Sequence, residues 1–453
     1  MKKPVVSIIR YTSSPESLAE ALMAANAFDE LDRNQSVLIK PNLVGWDPVY
    51  PLAPYAVYTT SRLVEDMVIL LKDYGIGDIT IGEGSSQGSR SKAGTLKGAK
   101  LVFKALGYDH LNKKYSVKLV DFFEEPFQPI EVGGFTLNFA EKALETDFLI
   151  NMPVLKTHSQ TVFSLGFKNL KGCIDMKSRK FCHNREVPLD FFCALFPEVL
   201  RPCLTVLDGI YGLEKGPYFL GNALRMNLVV ASKDPLAVEM IGTMVAGHNP
   251  SSVEHLSIFA ERQNRSMALD EIIINGLNPE EVKRYLKNDF SWREDNTGPS
   301  AWDKIGISGI KIPKYDKTLC TGCSSMFNVL VMLITSAYKG KPFDGIEVLT
   351  GKSATPSPGF NRTILFGNCM IKKNRNHPSI KKAHYIKGCP VVMEEIIGRL
   401  GEFGIEADLE YFARFRKSLA GRYDGNPDFE PEHYFMPGAT GAAKANKVTG
   451  GNQ

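Results

Sequence analysis

Short apolar runs ending in polar or charged residues recur along the first half of the chain. Each is followed by a segment with helical spacing, and this rhythm restricts the fold more than any other feature. Pro4–Ile9 reads as a strand, and 15–27 as a helix announced by Ser14 and Pro15. Ser36–Asn42 is a strand that runs into a polar loop. Leu63, Met67, Leu70 and Leu71 give 59–74 a helical face that Gly75 and Gly77 stop, and Asp78–Gly82 is the next strand. The pattern continues with a helix at 98–106, strands at 116–121, 147–151, 204–208 and 228–232, and a helix from Pro235 to Val245. Such alternation predicts an α/β fold: a mainly parallel, Rossmann-like sheet with helices on both faces. In open parallel sheets functional loops gather at the C-terminal ends of strands. Here those ends carry Lys40, Asn42, Glu83, Lys156, His158 and Asp208, so a shared cleft is expected.

The later part of the chain is different. Residues 251–311 are polar and read as a connector after an α/β domain at 1–250. A smaller α/β metal-binding domain follows at 312–435, with a helix at 325–338, strands at 346–350 and 363–367, and a helix opened by Pro390. From 436 to 453 Gly, Ala, Lys and Asn dominate, which predicts a disordered tail. A length of 453 residues accommodates this division. The net charge of +4 is small for the size, and no arginine-rich run is present, so no nucleic-acid partner is expected. The most apolar stretch, Phe327 to Ile334, is too short to span a bilayer, and the N-terminus lacks a secretory apolar region. A cytoplasmic location follows as the expectation.

Eight cysteines in such a chain point to metal binding or catalysis rather than to a disulfide framework. Four of them form a pattern. Cys320 and Cys323 make a C-x2-C turn, and Cys369 and Cys389 follow, the last in Gly-Cys-Pro. Four thiolates converging on one point suit a [4Fe–4S] cluster or zinc. The Cys-Pro ending and the wide scatter of the ligands favour the cluster, with zinc as the lesser occupant. Cys193 and Cys203 lie among apolar residues and read as core. Cys173 and Cys182 are either further thiol ligands or nucleophiles, or buried packing, with packing favoured.

The segment 153–186 carries Lys156, His158, Lys168, Asn169, Lys171 and His183 beside small residues. Fixed cations and amide donors are what a phosphate or carboxylate ligand requires. For a single lysine the commoner meaning is a solvated loop; clustered at a strand end, these residues favour an anion site. Gly82-x-Gly84 follows a strand, but the next glycine, Gly88, falls one place late for a dinucleotide fingerprint, which excludes that motif.

Several of these stretches together resemble the DUF362 family: Val37–Asn42, Pro153–His158, Lys168–Gly172, Leu204–Gly209 and Ala231–Val238, in that order. The resemblance covers roughly 36–250. It implies that His183 occupies the place of a family histidine. It also implies an association with iron–sulfur domains, which many members have. Leu213–Pro217 departs from the Glu-Gly-x-Gly-Pro that members often carry. The cysteine segment does not resemble an eight-iron ferredoxin, since the C-x2-C-x2-C-x3-C-P run is missing.

The resulting expectation is an iron–sulfur oxidoreductase or cluster-dependent enzyme acting on an anionic small molecule or cofactor. Lys40, Asn42, Glu83, Lys156, Lys168, Asn169 and Lys171 would bind it, and His183, His158 and Asp208 would be the catalytic candidates. Cys320, Cys323, Cys369 and Cys389 would hold the metal. One alternative is an electron-transfer or cofactor-maturation protein without catalysis of its own, working through a redox partner protein. Another is a non-redox enzyme with a structural zinc site.

Overall fold

The computed structural model describes residues 2–49, 51–86, 98–216, 218, 220–289 and 292–441. The chain divides into two compact units. The larger comprises Met1–Ser178, Asp190–Asn288 and Leu419–Gln453, and the smaller Arg179–Leu189 and Asp289–Ser418.

The larger unit is built from strands β1 (Val5–Arg10), β2 (Val37–Pro41), β3 (Ile79–Glu83), β4 (Lys118–Asp121), β5 (Phe127–Val132), β6 (Phe135–Ala140), β7 (Phe148–Met152), β8 (Val154–His158), β9 (Val162–Phe163), β10 (Leu204–Glu214), β11 (Asn222–Ser232) and β12 (Ile273–Gly276). Ten of them form one sheet in the order β12-β1-β11-β10-β7-β2-β3-β4, with β8 pairing with β10 and β9. β5 and β6 make a separate hairpin. From β10 through β7, β2 and β3 to β4 every pairing is parallel. β10 and β11 pair antiparallel, as do β11 and β1. All five residues of each of β2, β3 and β7 are buried, as expected of parallel strands covered on both faces.

The strand order matters for function. From β2 the chain moves outward to β3 and β4, then returns to β7 on the other side of β2 and continues to β10. The direction of winding therefore reverses between β2 and β7. A crevice opens at such a switch point outside the carboxyl ends of the strands. Pro153 follows β7 directly, has no N–H to donate, and separates β7 from β8. β10 pairs first with β7 and then, from Asp208 onward, with β8.

Helices cover the sheet through their apolar faces. Ser61–Tyr74 buries Leu63, Val64, Met67, Val68 and Leu71, and Gly75 ends it at φ 101, a left-handed conformation that favours glycine. Pro235–Val245 starts on Asp234, whose side chain accepts from the Ala237 N–H, and buries Leu236, Val238, Met240, Ile241 and Val245 against β10 and β11.

The smaller unit has a four-stranded, wholly parallel sheet: β13 (Ile310–Lys311), β14 (Ile346–Leu349), β15 (Arg362–Phe366) and β16 (Ala383–Ile386), in that order. Helices Thr321–Ser336, Asn368–Asn374 and Met393–Glu402 connect or follow these strands.

The expected α/β class and the large, mostly parallel sheet are present. Three features differ from expectation. The stretch read as a connector is divided: Ile273–Gly276 pairs with β1 as an edge strand of the large sheet, and the chain enters the smaller unit at Asp289. Residues 179–189 belong to the smaller unit, and the chain returns to the larger one at Leu419. Of the expected disordered tail, 442–453 lie outside the described residues. Met436 and Gly441 donate to the Leu106 and Ala105 carbonyls of the larger unit. Among the described residues no helix is long and apolar enough to cross a membrane.

Candidate functional site

The switch point in the larger unit is occupied by side chains that are costly to bury. Lys40 lies near the end of β2, Glu83 ends β3, Lys156 is central in β8, and Asn169 ends the short helix Gly166–Asn169. Lys40 and Lys156 are wholly buried, and Glu83, Asn169 and Asp208 nearly so. Removing an ion from water costs on the order of several kcal/mol unless partners replace the water. Here they do. Lys40 Nζ donates to Glu83 Oε2 at 2.8 Å, to Asn169 Oδ1 at 3.1 Å and to the Pro41 carbonyl at 2.9 Å. Glu83 also accepts from the Leu43 and Gly84 N–H groups.

Asn169 is the hub. Its Oδ1 accepts from Asn42 Nδ2 at 2.8 Å, and its Nδ2 donates to Asn151 Oδ1 at 2.8 Å and to the Lys40 carbonyl. Asn42 Oδ1 in turn accepts from Lys156 Nζ at 2.5 Å. One continuous chain of hydrogen bonds therefore runs from Lys156 through Asn42 and Asn169 to Lys40 and Glu83. Gly172 packs against its far end: a Cβ there would stand 2.6 Å from Lys40 Nζ.

The two lysines differ in a way that matters chemically. Lys40 faces a carboxylate. Lys156 donates to two neutral oxygens, Asn42 Oδ1 and the Val57 carbonyl at 2.8 Å. Burial pushes Lys156 down to about 7, with repulsion from Lys168 and Lys40 adding to it and Glu83 and Asp208 opposing it. A neutral amine has two N–H bonds, both used by these acceptors, and one lone pair to offer. Such an amine near neutral pH can act as a base or nucleophile.

Asp208 ends the first part of β10, just before a shift in its register with β11. Its carboxylate accepts from the Thr60 and Ile210 N–H groups at 2.6 and 3.0 Å. Burial outweighs these bonds and pushes it up to about 6. His158 stands two residues beyond Lys156 on β8, with Nδ1 accepting from the Gln160 N–H. That bond leaves Nε2 as the protonated nitrogen of the neutral ring.

The structure thus joins Lys40, Asn42, Glu83, Lys156 and Asn169 directly, and brings Lys168 and Asp208 within electrostatic range of Lys156. Lys171 is buried in the turn beside Gly172, and His158 shares a strand with Lys156. His183 belongs to the smaller unit, where its buried ring donates through Nδ1 to the Lys317 carbonyl at 2.7 Å. Sequence reasoning passed over Asn151, which only a terminal polar residue on an otherwise apolar strand signals. It saw Gly172 only as part of a motif, and it missed the Thr59 hydroxyl, which bonds to the Asn42 N–H and the Met152 carbonyl.

Beneath the hub lies a further buried network. Glu239, on the Pro235–Val245 helix, accepts from the Phe167 N–H at 2.9 Å and so holds the turn that ends in Asn169. Gly166 has no room for a side chain, since a Cβ would meet Glu239 Oε1 at 2.7 Å. His255 lies 4.0 Å from the other Glu239 oxygen and 3.0 Å from Asp190. Burial drives the Glu239 carboxyl up to about 8.

In the smaller unit the four cysteines of the pattern stand on adjoining loops. Cys320 caps the Thr321–Ser336 helix, and Cys323 lies in its first turn. Cys369 opens the helix after β15, and Cys389 follows β16. Asn368 and Gly388 exchange two 3.0 Å hydrogen bonds, lacing the Cys369 and Cys389 loops together. A Cβ on Gly322, between Cys320 and Cys323, would meet Pro390 at 2.9 Å. The Cys323 thiol is pushed up by its hydrogen bond with Cys320, then by burial and by the neighbouring Cys320 and Cys389. Crowded thiols of this kind are the donor set that a cation or an iron–sulfur cluster relieves by accepting them as thiolates. Among the described residues no three or more His, Cys, Asp or Glu side chains are gathered closely enough to hold one metal ion. Cys173 and Cys182 are buried and divided between the larger and smaller units respectively.

Comparison with known proteins agrees with the larger unit. The chain is 27% identical over 223 residues to the thylakoid-associated protein sll1697 of Synechocystis sp. (strain ATCC 27184 / PCC 6803 / Kazusa). That alignment spans 48% of this chain and 64% of the relative. The lactate racemase apoprotein from Thermoanaerobacterium thermosaccharolyticum aligns with a TM-score of 0.30 and 14% identity over 51% of this chain and 54% of its own. Residues 37–244, which include every residue of the switch-point network and none of the four patterned cysteines, match the family model described as Domain of unknown function (DUF362).

Proposed function

We propose that the chain is an iron–sulfur enzyme that binds an anionic small molecule or cofactor at the switch point of the larger unit. The observation that carries this reading is the buried Lys156–Asn42–Asn169–Lys40–Glu83 chain, placed where open α/β sheets bind ligands. Ionisable groups buried without a structural need are expensive, and perturbed ones cluster at functional sites. In this reading Lys40 and Lys168 supply positive charge for the anion, while Lys156 takes or holds a proton at Nζ. Asn42 and Asn169 fix the two amines relative to one another. Asp208 and His158 are the remaining proton-transfer groups. His183, whose Nδ1 bonds to the Lys317 carbonyl in the smaller unit, is kept as a further proton-transfer candidate.

Cys320, Cys323, Cys369 and Cys389 would hold a [4Fe–4S] cluster, and the laced Cys369 and Cys389 loops support that assignment. The cluster, when bound, supplies single electrons. The test is anaerobic purification followed by iron, sulfide and zinc analysis, low-temperature electron spin resonance and mass spectrometry of released small molecules. About four irons and four sulfides per chain, lost in Cys320→Ser, together with an anionic ligand lost in Lys156→Gln, is the expected result. A colourless protein with stoichiometric zinc overturns the cluster assignment. Retention of the ligand by Lys156→Gln overturns the site assignment.

A further inference from the structure

Charge in the smaller unit is distributed unevenly: Arg362, Lys381 and Lys382 stand at the starts of β15 and β16, whereas Lys372, Lys373 and Lys387 follow the strand ends that carry Cys369 and Cys389. Between Glu347 and Glu394 the sequence has six lysines and two arginines and no aspartate or glutamate. Both Cys369 and Cys389 lie in that stretch, and both are exposed. The whole chain carries only +4, so this segment departs strongly from the balance elsewhere.

The fold adds cations from another part of the chain. Residues 179–189 join this unit and bring Lys180 and Arg185. Lys352 Nζ donates to the Lys180 carbonyl at 3.0 Å and to the His183 carbonyl, which pins the segment beside the thiols. Lys352 and Lys180 both act on the Cys369 thiol, and Arg185 acts on Lys373. Arg185, Lys372, Lys373 and Lys387 are exposed. Three acidic groups stand in or reach into the set: Glu186, exposed directly after Arg185, Asp316, which acts on Lys373, and Glu395, which accepts from the Lys387 N–H while bridging to Arg399. The balance remains strongly positive.

We propose that this basic rim is a docking surface for a small acidic redox protein, which it seats against the exposed Cys369 and Cys389 loops. A solvated face on an ordinary protein mixes both signs of charge, whereas this one excludes acids for the whole stretch that carries two of the four thiols. Complementary charge steers a partner to one face and fixes its orientation more than it adds affinity. Short-lived, salt-sensitive complexes are what an electron carrier requires. The proposal rests on the iron–sulfur reading for the nature of the partner, but not for the existence of the surface.

The experiment uses the full chain and an acidic plant-type ferredoxin as the probe. Binding is followed by calorimetry or by NMR shifts of the labelled probe, at about 20 mM and about 300 mM salt. The expected result is saturable binding at low salt that weakens at least about tenfold at high salt. The triple variant Arg185→Glu, Lys372→Glu, Lys387→Glu should lose at least tenfold in affinity at low salt. Its thermal midpoint and cysteine content should match the parent, since these side chains are exposed. No binding at low salt, or equal binding by the triple variant, overturns the proposal. So does an equal or stronger preference for duplex DNA or for phosphatidylglycerol vesicles. Iron analysis of the same samples separates the two readings. Binding by an iron-free protein removes the cluster and keeps the surface. An iron-loaded protein that does not bind removes the surface alone.

Discussion

Lys156 shows what a single position contributes. Its folded state prefers the neutral amine above about pH 7, while an unfolded lysine keeps its proton to about pH 10.4. Between those values the unfolded chain binds more protons, so this group's contribution to stability rises with pH across the window. Below pH 7 the amine is charged in both states, and the burial cost is fully present. Lys156→Met removes that dependence but leaves Asn42 Oδ1 and the Val57 carbonyl unpaired, at about 1–3 kcal/mol each. The thermal midpoint of the variant relative to the parent is therefore expected to be lower at pH 9 than at pH 6, measured by calorimetry at both. Gly172 carries a second prediction. Adding a methyl group there forces Lys40 and Glu83 apart, so Gly172→Ala should destabilise by about 1–3 kcal/mol and weaken ligand retention, although both charged partners remain. Lys40 and Glu83 were legible as candidates because they stand at the ends of apolar strands, and Lys156 because it follows the apolar run 147–151. Gly172 was visible only as part of a motif, because nothing in one sequence says which side chains a glycine must admit.

At the scale of elements, the Pro235–Val245 helix does more than cover the sheet. Through Glu239 it holds the turn that places Asn169. Glu239 keeps its proton in the folded state to about pH 8, against an ordinary value near 4.3. The folded state binds the extra proton across that window, so this group's contribution falls as pH rises through it. Glu239→Gln keeps an oxygen for the Phe167 N–H and lacks the titration. Relative to the parent it should be more stable at pH 8.5 than at pH 5, again by calorimetry. The expected helix 235–245 and the strands of the parallel run were legible from periodicity. The antiparallel β10–β11 hairpin was not. Its members are eleven residues each; Asp208, Gly209 and Gly212 interrupt the apolar run of β10, and the outer half of β11, Asn222–Asn227, mixes polar and apolar residues without clean alternation.

At the scale of the whole molecule, the units are not consecutive stretches of chain. The larger unit needs β12 beside β1, and it needs residues 419–441. Tyr434 accepts from the Ala56 N–H at 2.9 Å, Tyr423 accepts from the Ala223 N–H at 2.6 Å, and Arg225 pairs with Glu430 at 2.9 Å. The four rings around Tyr55, those of Tyr211, Tyr423, Phe429 and Tyr434, lie about 5 Å away. A fragment cut at 250, where the composition changes, lacks both the edge strand and these rings. It should therefore fail to give the protease-resistant core that the full chain gives, as judged by limited proteolysis and mass spectrometry.

Periodicity determined the α/β class and the run of parallel strands, and strand-end chemistry nominated Lys40, Glu83 and Lys156 as candidates, because burying a parallel strand requires an apolar run that any reader of the chain can see. The C-x2-C turn with its two distant cysteines likewise marked out the smaller unit. Only the tertiary structure decided that Asn169 is the hub, that Lys40 donates to a carboxylate while Lys156 donates to two neutral oxygens, and that His183 stands with the smaller unit. Those outcomes depend on which loops meet across a strand reversal and on where the chain crosses between units. They are properties of long-range packing, to which local propensity is blind.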